Sequence, residues 1–344
     1  MPHRTIDADD VIVEDLLAGT LELVAELGGW LHPQARIVAR DGQLGLHCPS
    51  EDDAPLVHLP REAFVRIGRV TWSDSREGLE VLDVPGELTD AEAELLMLQV
   101  ALHNQSGKIP RLVRTHPVLD PMLPGDVIEA VRWFRPSFRL RQPTPASLLW
   151  STRSFRVPVQ PSSTPEPAAL PVVDLLNHHH SGSTGQLLDV GFAVDVSRPF
   201  GTDECALDYG LDRDAIGMAV VYGFADSSAA VAHSAPLVLQ VPGVGTVRVT
   251  AIGRTRTGQL LPPVVREADG SFEISHVTFR HGSARELAAR MGASVVEAVA
   301  ERNLELLAEL RRRALAAPGS AGAAVLAAAA DRQAEVIAAG RHTP

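Results

Sequence analysis

Residues 35–67 carry apolar runs too short for helices. ARIVAR, GLH, LVHL and FVRI are separated by DG and SEDD breaks, the pattern of short strands joined by turns. These runs do not alternate with helices. The chain reads as helix, strands, inserted helices, strands, helices, whereas a doubly wound parallel sheet needs strand and helix in turn. GQLGL (42–46) is accordingly not a dinucleotide fingerprint, since strand-like and turn residues follow where a helix is required. The class left is α+β.

Residues 9–29 place apolar and acidic positions at helical spacing, with Asp9 or Asp10 as the cap. The stretch 86–140 is mostly helical. It opens at Thr89-Asp90-Ala91-Glu92, a helix-start pattern, and continues with Leu95, Leu98 and Leu102. Strands return at 147–159, and the proline and serine of SSTPEPAALP (162–171) predict a loop. Residues 220–281 carry further β signal, with a hairpin turn at Pro242 to Gly245 inside 237–253. From Ser283 onward the spacing of Leu287, Met291, Val295 and Val299 predicts a helix. Pro318-Gly319 ends it before a final alanine-rich helix.

Composition excludes several classes. The 344 residues suffice for about two domains. No run of about 18 apolar residues predicts a membrane span. MPHRTIDADD lacks the apolar core of an export signal, and two cysteines make no disulfide framework, so a reducing cytoplasm is expected. A formal charge of −12 repels nucleic-acid phosphates. The one basic, aromatic-rich stretch, RWFRPSFRLR (132–141), reads as arginines rimming a half-buried segment. Lys108 is the single lysine among 31 basic residues, a bias expected of a GC-rich bacterial genome.

Two stretches carry the chemistry. LPVVDLLNHHHSG (170–182) contains three consecutive histidines. Downstream, both tyrosines of the chain fall in one segment, Tyr209 in DYG and Tyr222 in YGF. A D-x-x-N-H turn followed by these two tyrosines resembles the SET-domain methyltransferases. The likeness is to the branch typified by the Rubisco large-subunit and actin-histidine enzymes. RDGQLGLHC (40–48), LPREAFV (59–65) and STRSFRVP (151–158) are weaker echoes in the same order.

The resemblance implies a SET-type β-fold of small, curved, antiparallel sheets with a knot-like crossing near Asn177 and Tyr209. It divides the chain into 1–85, an N-terminal helix and first SET half; 86–140, a helical insert; 141–230, the second SET half; and 231–344, a C-terminal domain of β segment then helices. It also implies S-adenosylmethionine as cofactor. Leu44, Gly45, Leu46, Asn177 and His178 would hold its ends, and Arg153 and Asp174 would meet the methionine carboxylate and ammonium. Tyr209 would be catalytic, with Phe192, Tyr222 and Phe224 around a protein or small-molecule methyl acceptor. Nucleic acid and membrane are not expected partners.

Gln43 stands where the cofactor loop's first glycine belongs, and Phe192 is the one aromatic where an acceptor-pocket tyrosine is expected. His178 fits the Asn-His turn, with His179 and His180 exposed beyond it. Adjacent histidines do not share a face, so no metal is expected. The alternative is a SET-like scaffold doing acid, base or metal-dependent chemistry on a small molecule through His178, His179 and His180, with His47.

Overall fold

The computed structural model describes residues 5–50, 54–73, 75, 77–84, 86–138, 143–158, 164–199, 201–210, 213–251, 265–268 and 271–341. In chain order these form β1 (Ile6–Ala8), α1 (Val11–Glu26), β2 (Trp30–Leu31), β3 (Arg36–Arg40), β4 (Gln43–His47), β5 (Pro55–Pro60), β6 (Thr71–Trp72), β7 (Val81–Asp83), α2 (Asp90–Gln105), α3 (Lys108–Thr115), α4 (Gly125–Phe134), α5 (Pro145–Arg153), β8 (Ser154–Val157) and β9 (Glu166–Ala169). There follow β10 (Asn177–Ser183), β11 (Gln186–Leu188), β12 (Gly191–Asp195), β13 (Glu204–Leu207), α6 (Ala215–Tyr222), β14 (Val231–His233), β15 (Leu237–Val241), β16 (Gly245–Val249), β17 (Val265–Ala268), β18 (Ser271–Ile274), β19 (Thr278–Arg280), α7 (Ala284–Met291), α8 (Ala293–Leu315) and α9 (Ala321–Arg341).

The chain divides into two compact units, 1–113 with 143–210, and 114–142 with 211–344. This division cuts the 86–140 stretch, giving α2 to the first unit and α4 to the second, and it places α6 with the second.

The first unit holds a five-stranded sheet, β1-β3-β4-β13-β10, and a four-stranded one, β11-β12-β5-β2. The β3–β4 turn is Asp41-Gly42, both at positive φ (51° and 70°), which a tight antiparallel hairpin demands. Alternation then puts Ile37, Ala39, Leu44 and Leu46 in the core and leaves Gly45 and His47 on the opposite face. Helix α1 is capped by the Asp10 carboxylate, which accepts from the Ile12 amide at 2.8 Å. It buries Val13, Leu17, Thr20 and Val24. Helix α2 opens on a capping box in which Thr89 and Glu92 bond each other's backbone amides. Glu92 also pairs with Arg66 at 2.5 and 2.7 Å.

Several sequence expectations are corrected here. Pairs β1–β3 and β10–β13 are parallel, so the sheets are mixed rather than antiparallel. Residues 145–153 are a helix, because Thr144 caps it through the Ser147 amide (3.1 Å) and Pro145 sits in the first turn; only 154–157 is strand. Within 162–171, Glu166–Ala169 pairs with β8 despite its proline, on the edge of a two-stranded ladder; 162–163 lie outside the described residues. FVRI makes a single bridge, Val65 to Ala169, before a 3-10 turn.

Near Asn177 and Tyr209 the backbone of β10 runs directly against β13. A Cβ on Gly182 would lie 2.8 Å from the main chain of Ala206 and Leu207, so glycine alone permits this approach.

The second unit combines β14–β19 and β15-β16-β18-β17 with α4 and α6 to α9. The hairpin expected at Pro242 to Gly245 joins β15 and β16; residues 252–253 lie outside the described residues. Gly292, at φ +86°, splits the expected C-terminal helix into α7 and α8. Two buried amides fasten the helices to the strands: Asn303 bonds Ala235 and Ser234, and Gln333 bonds Ile216 and His233. No helix among the described residues is long and apolar enough to cross a membrane.

Candidate functional site

Leu170 to Ser183 forms one wall of the site. Val172 is held at φ 70°, strained for a β-branched residue, and a 3-10 turn (Val173–Leu175) follows. The chain then enters β10, so the three histidines lie on a strand and not on a turn. The pairing is irregular: Leu207 is partner to both His178 and Ser183. His179 and His180 are half-buried rather than exposed, and the Ser181 amide donates to His179 Nδ1 at 3.0 Å. No group of three potential metal ligands occurs among the described residues.

Asn177 ties three strands together. Its Nδ2 donates to the Leu44 carbonyl (3.2 Å) and to Glu204 Oε1 (2.9 Å), which occupies both amide hydrogens. The side chain expected to face a ligand is therefore engaged on its donor side within the fold. Its neighbour Gly45 leaves an open notch. At the position of a Gly45 Cβ, His47 Nε2 is 3.4 Å away, Glu204 Oε1 3.5 Å and Asn177 Nδ2 3.6 Å. These are ordinary contact distances, so the glycine relieves no clash; it leaves space ringed by polar atoms. Leu44 and Leu46 face the core and can offer a ligand only main chain.

His47 is aimed by its other nitrogen. Nδ1 lies 3.1 Å from Asp203, which also takes Arg36 at 2.7 Å. The His47 hydrogen bond, and then Arg36, hold the Asp203 carboxyl below its usual range.

Tyr209 stands just beyond β13. Its hydroxyl donates to the Leu176 carbonyl at 2.6 Å, and its amide donates to His178 Nδ1 at 3.1 Å. The second bond makes His178 Nδ1 an acceptor, which directs the ring N–H to Nε2. The two rings tilt together with centroids 5.0 Å apart.

Beneath the 3-10 turn lies a polar interior. The Asp174 side chain is almost fully buried; Oδ2 meets His103 Nε2 at 3.2 Å, while Oδ1 has no hydrogen-bond partner among the described residues. His103 Nδ1 and Trp150 Nε1 are likewise unpartnered there, and the His103 and Trp150 rings meet edge-on at 5.7 Å. Arg153 donates to the Asp174 main-chain carbonyl instead of its carboxylate. Burial lowers the His103 pKa against the opposing pull of Asp174. Burial, then the Arg153 charge, push Lys108 well below the ordinary lysine value, with Asp174 again opposing.

Sequence reasoning missed His103, Lys108 and Trp150. Two signals were present: Lys108 is the single lysine, and His103 recurs four residues after Gln99 and eight after Leu95 on the buried face of α2.

The remaining expected residues lie elsewhere. Phe192 is buried in the first unit, tilted on Phe155 at 5.4 Å with its ring closed over Gly185. Tyr222 and Phe224 belong to the second unit, their rings 6.2 Å apart, with the Arg213 guanidinium 5.0 Å over Tyr222.

No family model matches the chain, and no curated protein matches it. Among solved structures it is similar to the SET domain of LSMT bound to lysine and AdoHcy, at 12% identity over 95% of this chain and 90% of that one, with a TM-score of 0.41. It is similar to Rubisco LSMT bound to AdoMet at 12% identity, 94% and 90% coverage and a TM-score of 0.41.

Proposed function

We propose that this chain is an S-adenosylmethionine-dependent methyltransferase of SET type, acting in the cytoplasm on a protein side chain or a small metabolite. The observation that carries the reading is the Tyr209 hydroxyl, pinned to the Leu176 carbonyl inside the D-x-x-N-H segment. With its proton directed there, the phenolic oxygen serves as an acceptor, suited to a polarised methyl group or an acceptor amine, and not as a proton-abstracting base.

The residues fit the cofactor. Among the described residues the buried Asp174 Oδ1 is an acceptor without a donor, which an ammonium group satisfies, and Arg153 beside it suits a carboxylate. The Gly45 notch between Leu44 and Leu46 suits the nucleoside end, with His178 and Asn177 alongside. When bound, the cofactor supplies a methyl group on an electrophilic sulfonium. The protein then contributes alignment and exclusion of water. Within the first unit we assign an acceptor contact to Phe192.

A second reading, acid–base chemistry without methyl transfer, has one observation in its favour: Asp203 on Nδ1 leaves His47 Nε2 at the polar notch. Titration with S-adenosylhomocysteine separates the two. Binding by the wild-type chain, weakened by Arg153→Gln, is the expected result, together with transfer of labelled methyl to a component of cell extract. Absence of binding by both cofactor and product overturns methyl transfer and leaves the second reading.

A further inference from the structure

The second unit contains a cavity of about 230 Å³ that the methyl-transfer reading does not use. Its lining includes Arg135 and Ser137 beyond α4, Arg213 and Gly217 at the start of α6, and His233 and Ser234 at the end of β14, with no carboxylate among the described lining residues. In a chain of net charge −12, a concave surface with two guanidinium groups and no acid among its described lining residues stands out, the Asp214 carboxylate being buried behind Arg135.

Both arginines are held in place. Arg135 pairs with Asp214, whose side chain is fully buried, and its Nη1 donates to the Phe134 carbonyl at 3.0 Å. A Cβ on Gly217 would come within 2.8 Å of Arg135 Nη2 and 2.9 Å of Asp214 Oδ1, so the glycine keeps the space that the pair occupies. Asp214 is consumed on its own side, capping α6 through the Gly217 amide (2.7 Å) and accepting from the His233 amide (3.2 Å). Two of the five Arg135 N–H groups are thereby spent, and the others meet no further acceptor among the described residues. The Arg213 guanidinium is stacked over the Tyr222 ring, a face contact that keeps its N–H edge available.

We propose that this cavity binds the oxyanion of a small molecule, a carboxylate or a phosphate monoester, between Arg135 and Arg213. Planar guanidinium groups match both anions through paired hydrogen bonds, and the volume admits the head group and a few further atoms. The role of Tyr222 in this site is to orient Arg213.

The test uses the full chain at constant ionic strength made up with chloride, titrated calorimetrically with inorganic phosphate and separately with acetate. The expected result is one saturable site for at least one of the two, and the tighter anion identifies the head group. Arg213→Gln should weaken that binding at least ~10-fold, the loss of one charge-assisted pair. Arg135 is left intact because its removal strands the buried Asp214. Ser137→Asp, at an exposed rim position, is the second variant and should abolish binding by repulsion without touching the core. Arg302→Gln, on an exposed stretch of α8, should bind as wild type. No saturable binding of either anion overturns the proposal. So does unchanged binding in both Arg213→Gln and Ser137→Asp.

Discussion

Tyr209 donates its hydroxyl to the Leu176 main-chain carbonyl at 2.6 Å. The bond joins the residue proposed for chemistry to the segment proposed for the cofactor, so ring orientation and turn geometry are set together. Tyr209→Phe removes the hydroxyl and keeps the ring. Methyl transfer should fall ~10-fold or more, about 1.4 kcal/mol of transition-state stabilisation. Stability should drop by only about 1 kcal/mol, the net worth of one hydrogen bond. Single-turnover label transfer and the unfolding midpoint read the two effects separately. An equal loss in both would make this tyrosine a structural residue.

His103, buried against Asp174, makes stability depend on pH. Burial lowers its pKa in the folded chain below the ordinary 6.5, so the unfolded chain binds the proton more readily. The His103 contribution is therefore fully present above about pH 6.5 and is lost as pH falls from there through the folded value. His116 and His276, both lowered by burial, act in the same direction, so wild-type decline alone is not diagnostic. The difference between wild type and His103→Gln isolates the effect. The variant's unfolding midpoint should change less between pH 7.5 and 5.5 than the wild type's. Parallel curves would rule out a neutral, buried His103.

Lys108 is the single lysine, with its pKa pushed well down by burial and Arg153. A lowered pKa raises the share of neutral, nucleophilic amine, and as the chain's one lysine Lys108 should be the one side chain that an amine-directed acylating reagent modifies. Arg153 and Asp174 act on its charge, and they are the groups assigned to the amino-acid end of the cofactor. Saturating S-adenosylhomocysteine should therefore slow acylation of Lys108, read by peptide mass spectrometry. Unaltered labelling would place the ligand away from this interior.

How much of this was legible in the sequence follows from the range of the interactions. The Asp10 cap, the Thr89–Glu92 box and the Asp41-Gly42 turn involve residues a few positions apart, and all three were readable. The helix at 145–153 was misread because its apolar run is short, although Thr144-Pro145 carried a start signal. The parallel pairing of β10 with β13 and the Asn177 bonds to Leu44 and Glu204 depend on chain crossings that no local pattern encodes. The His103–Asp174 pair, 71 residues apart, was hidden for the same reason. The D-x-x-N-H segment was visible as a motif, but the half-burial of its histidines arises from strand pairing.

Gly45 gives the most selective test of the proposed cofactor site. In most tight glycine positions a methyl group meets backbone, and the fold itself suffers. Here the nearest atoms to a Cβ are three side-chain polar atoms at 3.4 to 3.6 Å, and the backbone is not at positive φ. Gly45→Ala should therefore fold with an unfolding midpoint at or slightly above wild type, because alanine also loses less conformational entropy. The methyl group would nonetheless occupy the notch between His47, Glu204 and Asn177. If the nucleoside end of the cofactor approaches β4 there, affinity for S-adenosylhomocysteine should fall ~10-fold or more, equivalent to about 1.4 kcal/mol. Calorimetry on a variant of unchanged stability makes this a statement about the site alone. Wild-type affinity in Gly45→Ala would remove the notch from the cofactor site, while leaving Arg153 and Asp174 to be tested on their own.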